Sequence, residues 1–113
     1  MNLYQVEDIK SLAEDDSEFI NSIWEEFHEA VEGHMASLNK AFAETDLKTI
    51  IEASHAIKGV AANIGAQTIY NLSSMICQEA RESKAKEANN TYRELRANLP
   101  KLYEEVMETY EIK

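Results

Sequence analysis

The chain has 113 residues, 44% of them hydrophobic and 28% charged, with three Gly and one Pro. That is the size of one domain, leaves too few turn residues for the many corners of a β-sandwich or barrel, and is too apolar for a disordered tail. Eleven Lys and Arg against 21 Asp and Glu give a net charge of -10, and no Lys/Arg cluster offsets it, so neither nucleic acid nor an anionic membrane surface is an expected partner.

No basic segment followed by an apolar one opens the chain, and no run approaches the ~20 apolar residues that span a bilayer. A cytoplasmic monomer is the expectation. The single cysteine, Cys77, has no partner for an internal disulfide, and no Cys/His group has zinc spacing. Neither a metal nor a redox framework is expected, so stability must come from an apolar core.

In chain order, Val6, Ile9, Leu12 and Ala13 predict a short amphipathic helix packed as a lid, followed by Asp15, Asp16 and Ser17 as candidate caps. A long helix follows, because Ile20, Ile23, Phe27, Ala30, His34, Leu38 and Ala41 recur at three and four residues, widened by Trp24, Val31, Met35 and Phe42. Gly33 is a weak point inside it. Thr45 and Asp46 end this helix and begin the next, which spans about 46–64, carries Leu47, Ile50, Ile51, Ser54, Ile57, Ala61 and Ile64 on one face, and stops at Gly65.

The third helix shows Ile69, Leu72, Ile76, Ala80 and Ser83, then gives way to a polar stretch from Ser83 to Asn90, with Asn89 and Asn90 as loop or cap residues. The fourth stripe is Tyr92, Leu95, Leu99, Leu102, Val106 and Tyr110, and Pro100 within it predicts a kink or a local restart. Four amphipathic helices on short connections predict an all-α, antiparallel four-helix bundle with a short additional N-terminal helix, one domain over 1–113.

The chemistry concentrates in the second long helix, in the stretch Ser54 to Ala66. At about 100° per residue, His55 falls roughly 120° from the centre of the apolar stripe and is accessible to water. Lys58 and Gly59 are its neighbours one turn on, and Ala62 continues the strip. An exposed neutral imidazole is a nucleophile toward a phosphoryl group. Lys58 can neutralise phosphate oxygens, while Gly59 and Ala62 let a partner protein approach. A mid-helix Gly costs about 1 kcal/mol relative to Ala, which points to a compensating benefit.

His34 reads instead as a packed, hydrogen-bonded core histidine. His28 and His34 lack the spacing of a helical metal pair. Cys77 alone reads as a small, partly buried apolar residue rather than a reactive thiol. The aromatic series reads as core and rim.

His55-x-x-Lys58-Gly59 followed by Gly65-Ala66 resembles the histidine phosphotransfer (HPt) domains of bacterial multistep phosphorelays. Asp16 to Ile20, the Thr45-Asp46-Leu47 turn and the Leu72 to Arg81 helix extend that resemblance over nearly the whole chain. The resemblance implies a bundle whose single histidine exchanges phosphate with an aspartate on a response-regulator receiver domain. The receiver supplies Mg²⁺, this chain needs no cofactor of its own, and a hybrid histidine kinase stands upstream.

His55 is then the phosphorylation site, Lys58 its electrostatic neighbour and Gly59 the clearance residue. Many family members place a Gln or Glu beside the histidine from the following helix; here Cys77 takes that place, with Gln78 next to it and Arg81 one turn on. Cys77 as a weak donor, Gln78 after a small rotation, and a bridging water are three ways to orient the ring. The expected docking surface runs over His55, Gly59 and Ala62, with the first short helix and the Cys77 to Arg81 face at its edges. No Gly-rich phosphate loop or second carboxylate set accompanies His55, so no ATP-dependent kinase activity is expected. Two other readings stand beside this one: a helical adaptor that binds a receiver without being phosphorylated, and the excised phosphotransfer module of a larger hybrid kinase. Met1 and the end at Lys113 favour a free-standing protein over the latter.

Overall fold

The computed structural model describes the backbone of residues 17–110 and the side chains of 22–106. The short N-terminal helix expected around Val6 to Ala13, and the caps at Asp15 and Asp16, lie outside the described residues. Within them the chain forms four helices and no strand: α1 (Ser17–Glu44), α2 (Leu47–Ile64), α3 (Gln67–Arg81) and α4 (Ala85–Tyr110).

The three connections are short because each closes by the same motif. At the end of α1 the Thr45 N–H donates to the Phe42 carbonyl and the Asp46 N–H to that of Ala41; Gly65 and Ala66 repeat this on Ala62 and Ala61, and Ser83 and Lys84 on Ala80 and Glu79. These paired bonds satisfy carbonyls that a helix end leaves without donors. The motif needs one residue in the left-handed region, and Thr45, Gly65 and Ser83 occupy it at φ 53°, 70° and 59°. Only one of the three is the glycine that adopts this conformation without steric cost.

Asp46 then serves α2 as well. Its carboxylate accepts from the Thr49 N–H at 3.2 Å and from the Thr49 hydroxyl at 2.7 Å. Those two bonds, the hydroxyl's first, hold the carboxyl below its ordinary value of 3.8.

Antiparallel order follows from which residues meet. Ile51 meets Cys77 across α2 and α3, Glu79 meets Thr91 across α3 and α4, and Phe42 and Phe27 meet Tyr92 and Tyr103 across α1 and α4. Between α1 and α4, and between α2 and α3 where Lys58 also meets Tyr70, the numbers rise on one helix as they fall on the other. Ile50, Ile57, Ile69, Ile76, Leu38, Leu95 and Leu102 are fully buried at the centre. Of the neighbouring pairs, α2 and α3 pack most closely and α1 and α4 least. Small buried residues, Ser54 and Ala61 on α2, Ser73 on α3 and Ala66 in the turn between them, let those two backbones approach. The α1–α4 seam is instead filled by aromatic rings, with Phe42 and Tyr92 centred 5.1 Å apart and His28 stacked on Tyr103 at 4.4 Å.

Two expectations change. The polar stretch from Ser83 to Asn90 is mostly helix: α4 begins at Ala85 and contains Asn89 and Asn90, since Ala85, Lys86, Glu87 and Ala88 are good helix formers once the Ser83 turn has closed. Of the kink or local restart expected at Pro100, the restart does not occur, since Pro100 lies inside one unbroken helix. Pro100 and Arg96 are both exposed, so the carbonyl that loses its helical donor lies on a solvated side.

Candidate phosphotransfer site

His55 sits near the middle of α2 with its side chain exposed. It shares an outward strip with Gly59 and Ala62, four and seven residues on, and both are exposed. A Cβ built on Gly59 would meet nothing within 4 Å, so the bare patch beside the ring opens to solvent and is not packed against another helix. Directly beneath the ring the backbone is braced. Ser54, fully buried, donates its hydroxyl to the Ile50 carbonyl at 2.7 Å and the Ile51 carbonyl at 3.2 Å. Ile51 is also the residue whose carbonyl takes the His55 N–H in an α-helix.

The α3 candidates are distributed differently from the sequence expectation. Cys77 is only 7% exposed and points its thiol at the Ile51 carbonyl, 3.9 Å away. Gln78 is exposed and donates to Glu82, the residue that caps the end of its own helix, at 2.6 Å. Arg81 is exposed in the last turn of α3. Among the described residues none hydrogen-bonds the His55 ring.

Two cross-helix contacts set the α2–α3 register, Cys77 against Ile51 and Tyr70 against Lys58. In that register the α3 residue level with His55 is Ser73, which is buried, and the half-buried Ser74 beside it lies nearer the Tyr70–Cys77 edge. The same register puts Arg81 beside the first turn of α2, about 12 Å along the helix axis from His55 at 1.5 Å per residue. Of the expected Cys77 to Arg81 face, only Gln78 and Arg81 reach the surface prominently, and neither is next to the ring.

Lys58 is half-buried at the α2–α3 edge, with its ammonium 5.5 Å from the centre of the Tyr70 ring. Tyr70 went unnoticed in the sequence, where it stands beside the stripe of the third helix and not in it. Its contact with Lys58 depends on register between two helices, which no local pattern encodes. It also walls a shallow hollow with Ala61, Ala62, Gly65, Ala66 and Gln67, adjoining the His55 strip through Ala62.

The remaining histidines stand apart. His34 is half-buried, not a core residue. His28 lies on the α1–α4 side, 3.6 Å from the Glu32 carboxylate with both side chains well exposed. Among the described residues no three His, Cys, Asp or Glu side chains gather as a metal site would require. No helix among them is long and apolar enough to cross a membrane.

The fold is thus a helical bundle with a solvent-facing histidine in the middle of one helix, a lysine one turn away and a bare patch beside it. The family model of the Hpt domain matches residues 22–108, from the early turns of α1 through all of α2 and α3 to the end of α4. The chain belongs to the Hpt domain family, and has with it a phosphotransfer role in two-component signalling, in which Hpt domains interact with receiver domains. Neither the curated proteins nor the solved structures give a significant match.

Proposed function

We propose that His55 accepts a phosphoryl group from the aspartyl phosphate of one receiver domain and passes it to the aspartate of another. The chain would act as a single-domain, cytoplasmic monomer downstream of a hybrid histidine kinase. The observation that carries this reading is the placement of His55 on an exposed α2 strip with Gly59 and Ala62, and with Lys58 one turn away.

In the forward step a ring nitrogen of His55 forms a bond to phosphorus as the bond from phosphorus to the aspartate oxygen breaks. The electron pair of that bond leaves with the carboxylate, and the other ring nitrogen keeps its proton. Lys58 offsets the charge on the phosphoryl oxygens. The receiver supplies the aspartate pocket and Mg²⁺. Gly59 and Ala62 leave room for that pocket's rim, and Gln78 and Arg81 lie further along α3 where a docked receiver would extend.

The test is to incubate the protein with a phosphorylated receiver domain and Mg²⁺ and to measure acid-labile, base-stable phosphate. Wild type becomes labelled and His55→Gln does not. Labelling of His55→Gln to the wild-type level would sink the assignment. Receiver binding without labelling of wild type would favour the adaptor reading.

A further inference from the structure

We propose that Tyr70 is a positioning residue for phosphotransfer: its ring holds the Lys58 ammonium at the α2–α3 edge beside His55. The inference rests on the phosphotransfer reading above and adds a residue to it.

A lysine on a helix surface ordinarily samples many rotamers, and its charge is spread over a wide volume of solvent. Lys58 has no carboxylate within ion-pairing distance among the described residues, unlike Lys84, which pairs with Glu82 at 3.1 Å. What it has is the Tyr70 face at 5.5 Å, within the range at which a ring quadrupole attracts a cation. Tyr70 comes from α3, the helix most closely packed on α2, so the ring has a fixed place relative to His55. Its neighbours on that side, Ala61, Ala62, Gly65 and Ala66, are too small to screen the contact.

An aromatic ring suits this role better than a carboxylate. It confines the ammonium without neutralising it and without adding a negative charge that would repel an incoming phosphoryl group. Lys58 therefore waits at the edge of the His55 strip with its charge available. A cation–π contact at a partly exposed site is weak enough to be exchanged for phosphate oxygens once they arrive.

The test uses the whole chain with Tyr70→Trp, Tyr70→Phe and Tyr70→Leu, Lys58→Met, and the double variant Tyr70→Leu/Lys58→Met. Two quantities are read: the rate of phosphoryl transfer from a phosphorylated receiver, and the ring-current shift of the Lys58 side-chain protons by NMR. Phe and Trp keep the upfield shift and a rate within about two-fold of wild type. Leu, which fills the space without a π face, abolishes the shift and slows transfer about two- to five-fold. In the Lys58→Met background, Tyr70→Leu has no further effect, because the two residues act as one unit.

The proposal is overturned if Tyr70→Leu transfers at the wild-type rate, if Phe fails to rescue, or if the two losses multiply in the double variant. Those outcomes leave the phosphotransfer reading standing so long as wild type is labelled. If wild type is not labelled, that reading fails and this one with it, while the NMR arm still reports on the contact itself.

Discussion

Two glycines inside helices look alike in sequence and differ in what surrounds them functionally. Gly33 in α1 and Gly59 in α2 are both exposed, and a Cβ on either would meet nothing within 4 Å. Neither is required by packing or by a left-handed backbone, so both cost helix stability for no structural return. Replacing either with Ala is expected to raise stability by about 0.5–1 kcal/mol in chemical denaturation. The two should part when the side chain is longer. Gly59→Gln projects into the strip beside His55 and is expected to slow phosphotransfer at least several-fold with helix content intact by circular dichroism, whereas Gly33→Gln leaves transfer unchanged. Equal transfer rates for the two Gln variants would remove the clearance role assigned to Gly59.

At the scale of the element, the ends of the helices hold the informative differences. The three αL turns are built alike, but a residue other than Gly pays about 1–2 kcal/mol to sit there, and a β-branched one is the worst placed. Thr45→Gly is therefore expected to gain about 0.5–1 kcal/mol, the relief being partly offset by the greater freedom of glycine in the unfolded chain. Gly65→Ala is expected to lose about 1 kcal/mol. Denaturant midpoints of both variants against wild type check the signs, and a loss in Thr45→Gly would mean that the side chain supports the turn in another way.

The same turns mark where the sequence was readable. The stripes of α1, α2 and α3, the Thr45-Asp46 junction and the Gly65 stop were legible because periodicity, an N-cap and a C-terminal glycine are local signals. The start of α4 was hidden because Ser83 closes its turn without a glycine, so Asn89 and Asn90 read as a loop although they lie in helix. Within the site, exposure of His55, Gly59 and Ala62 followed from helical period alone. Burial of Cys77, the Gln78–Glu82 pairing, the displacement of Arg81 and the Lys58–Tyr70 contact all depend on the α2–α3 register, which tertiary packing decides.

Across the whole molecule, the bundle is closely packed where the site lies and looser on the opposite side. The α2–α3 pair, which carries His55, Lys58 and Tyr70, rests on small residues and close backbones, whereas α1 and α4 are joined through Phe27, Phe42, Tyr92 and Tyr103. Tyr103 is the odd member of that seam. Its hydroxyl is buried without a hydrogen-bond partner among the described residues, and burial, aided by the nearby Glu32 charge, holds the phenol in its neutral form well above the ordinary tyrosine range. A buried hydroxyl without a partner carries a desolvation cost and returns nothing, while the ring contributes the packing. Tyr103→Phe is thus expected to leave stability unchanged or to raise it by up to about 1 kcal/mol, which for a domain of this size is a rise of up to about 4–8 °C in Tm. Phe27→Ala, which removes a ring only 2% exposed from the same seam, is expected to cost about 3–5 kcal/mol. Because α4 lies diagonally across the bundle from α2, Tyr103→Phe should also transfer phosphate at the wild-type rate. Thermal unfolding of the two variants beside wild type separates ring from hydroxyl, and a drop of more than about 1 kcal/mol in Tyr103→Phe would show that the hydroxyl is satisfied by a bound water and belongs to the architecture of the seam.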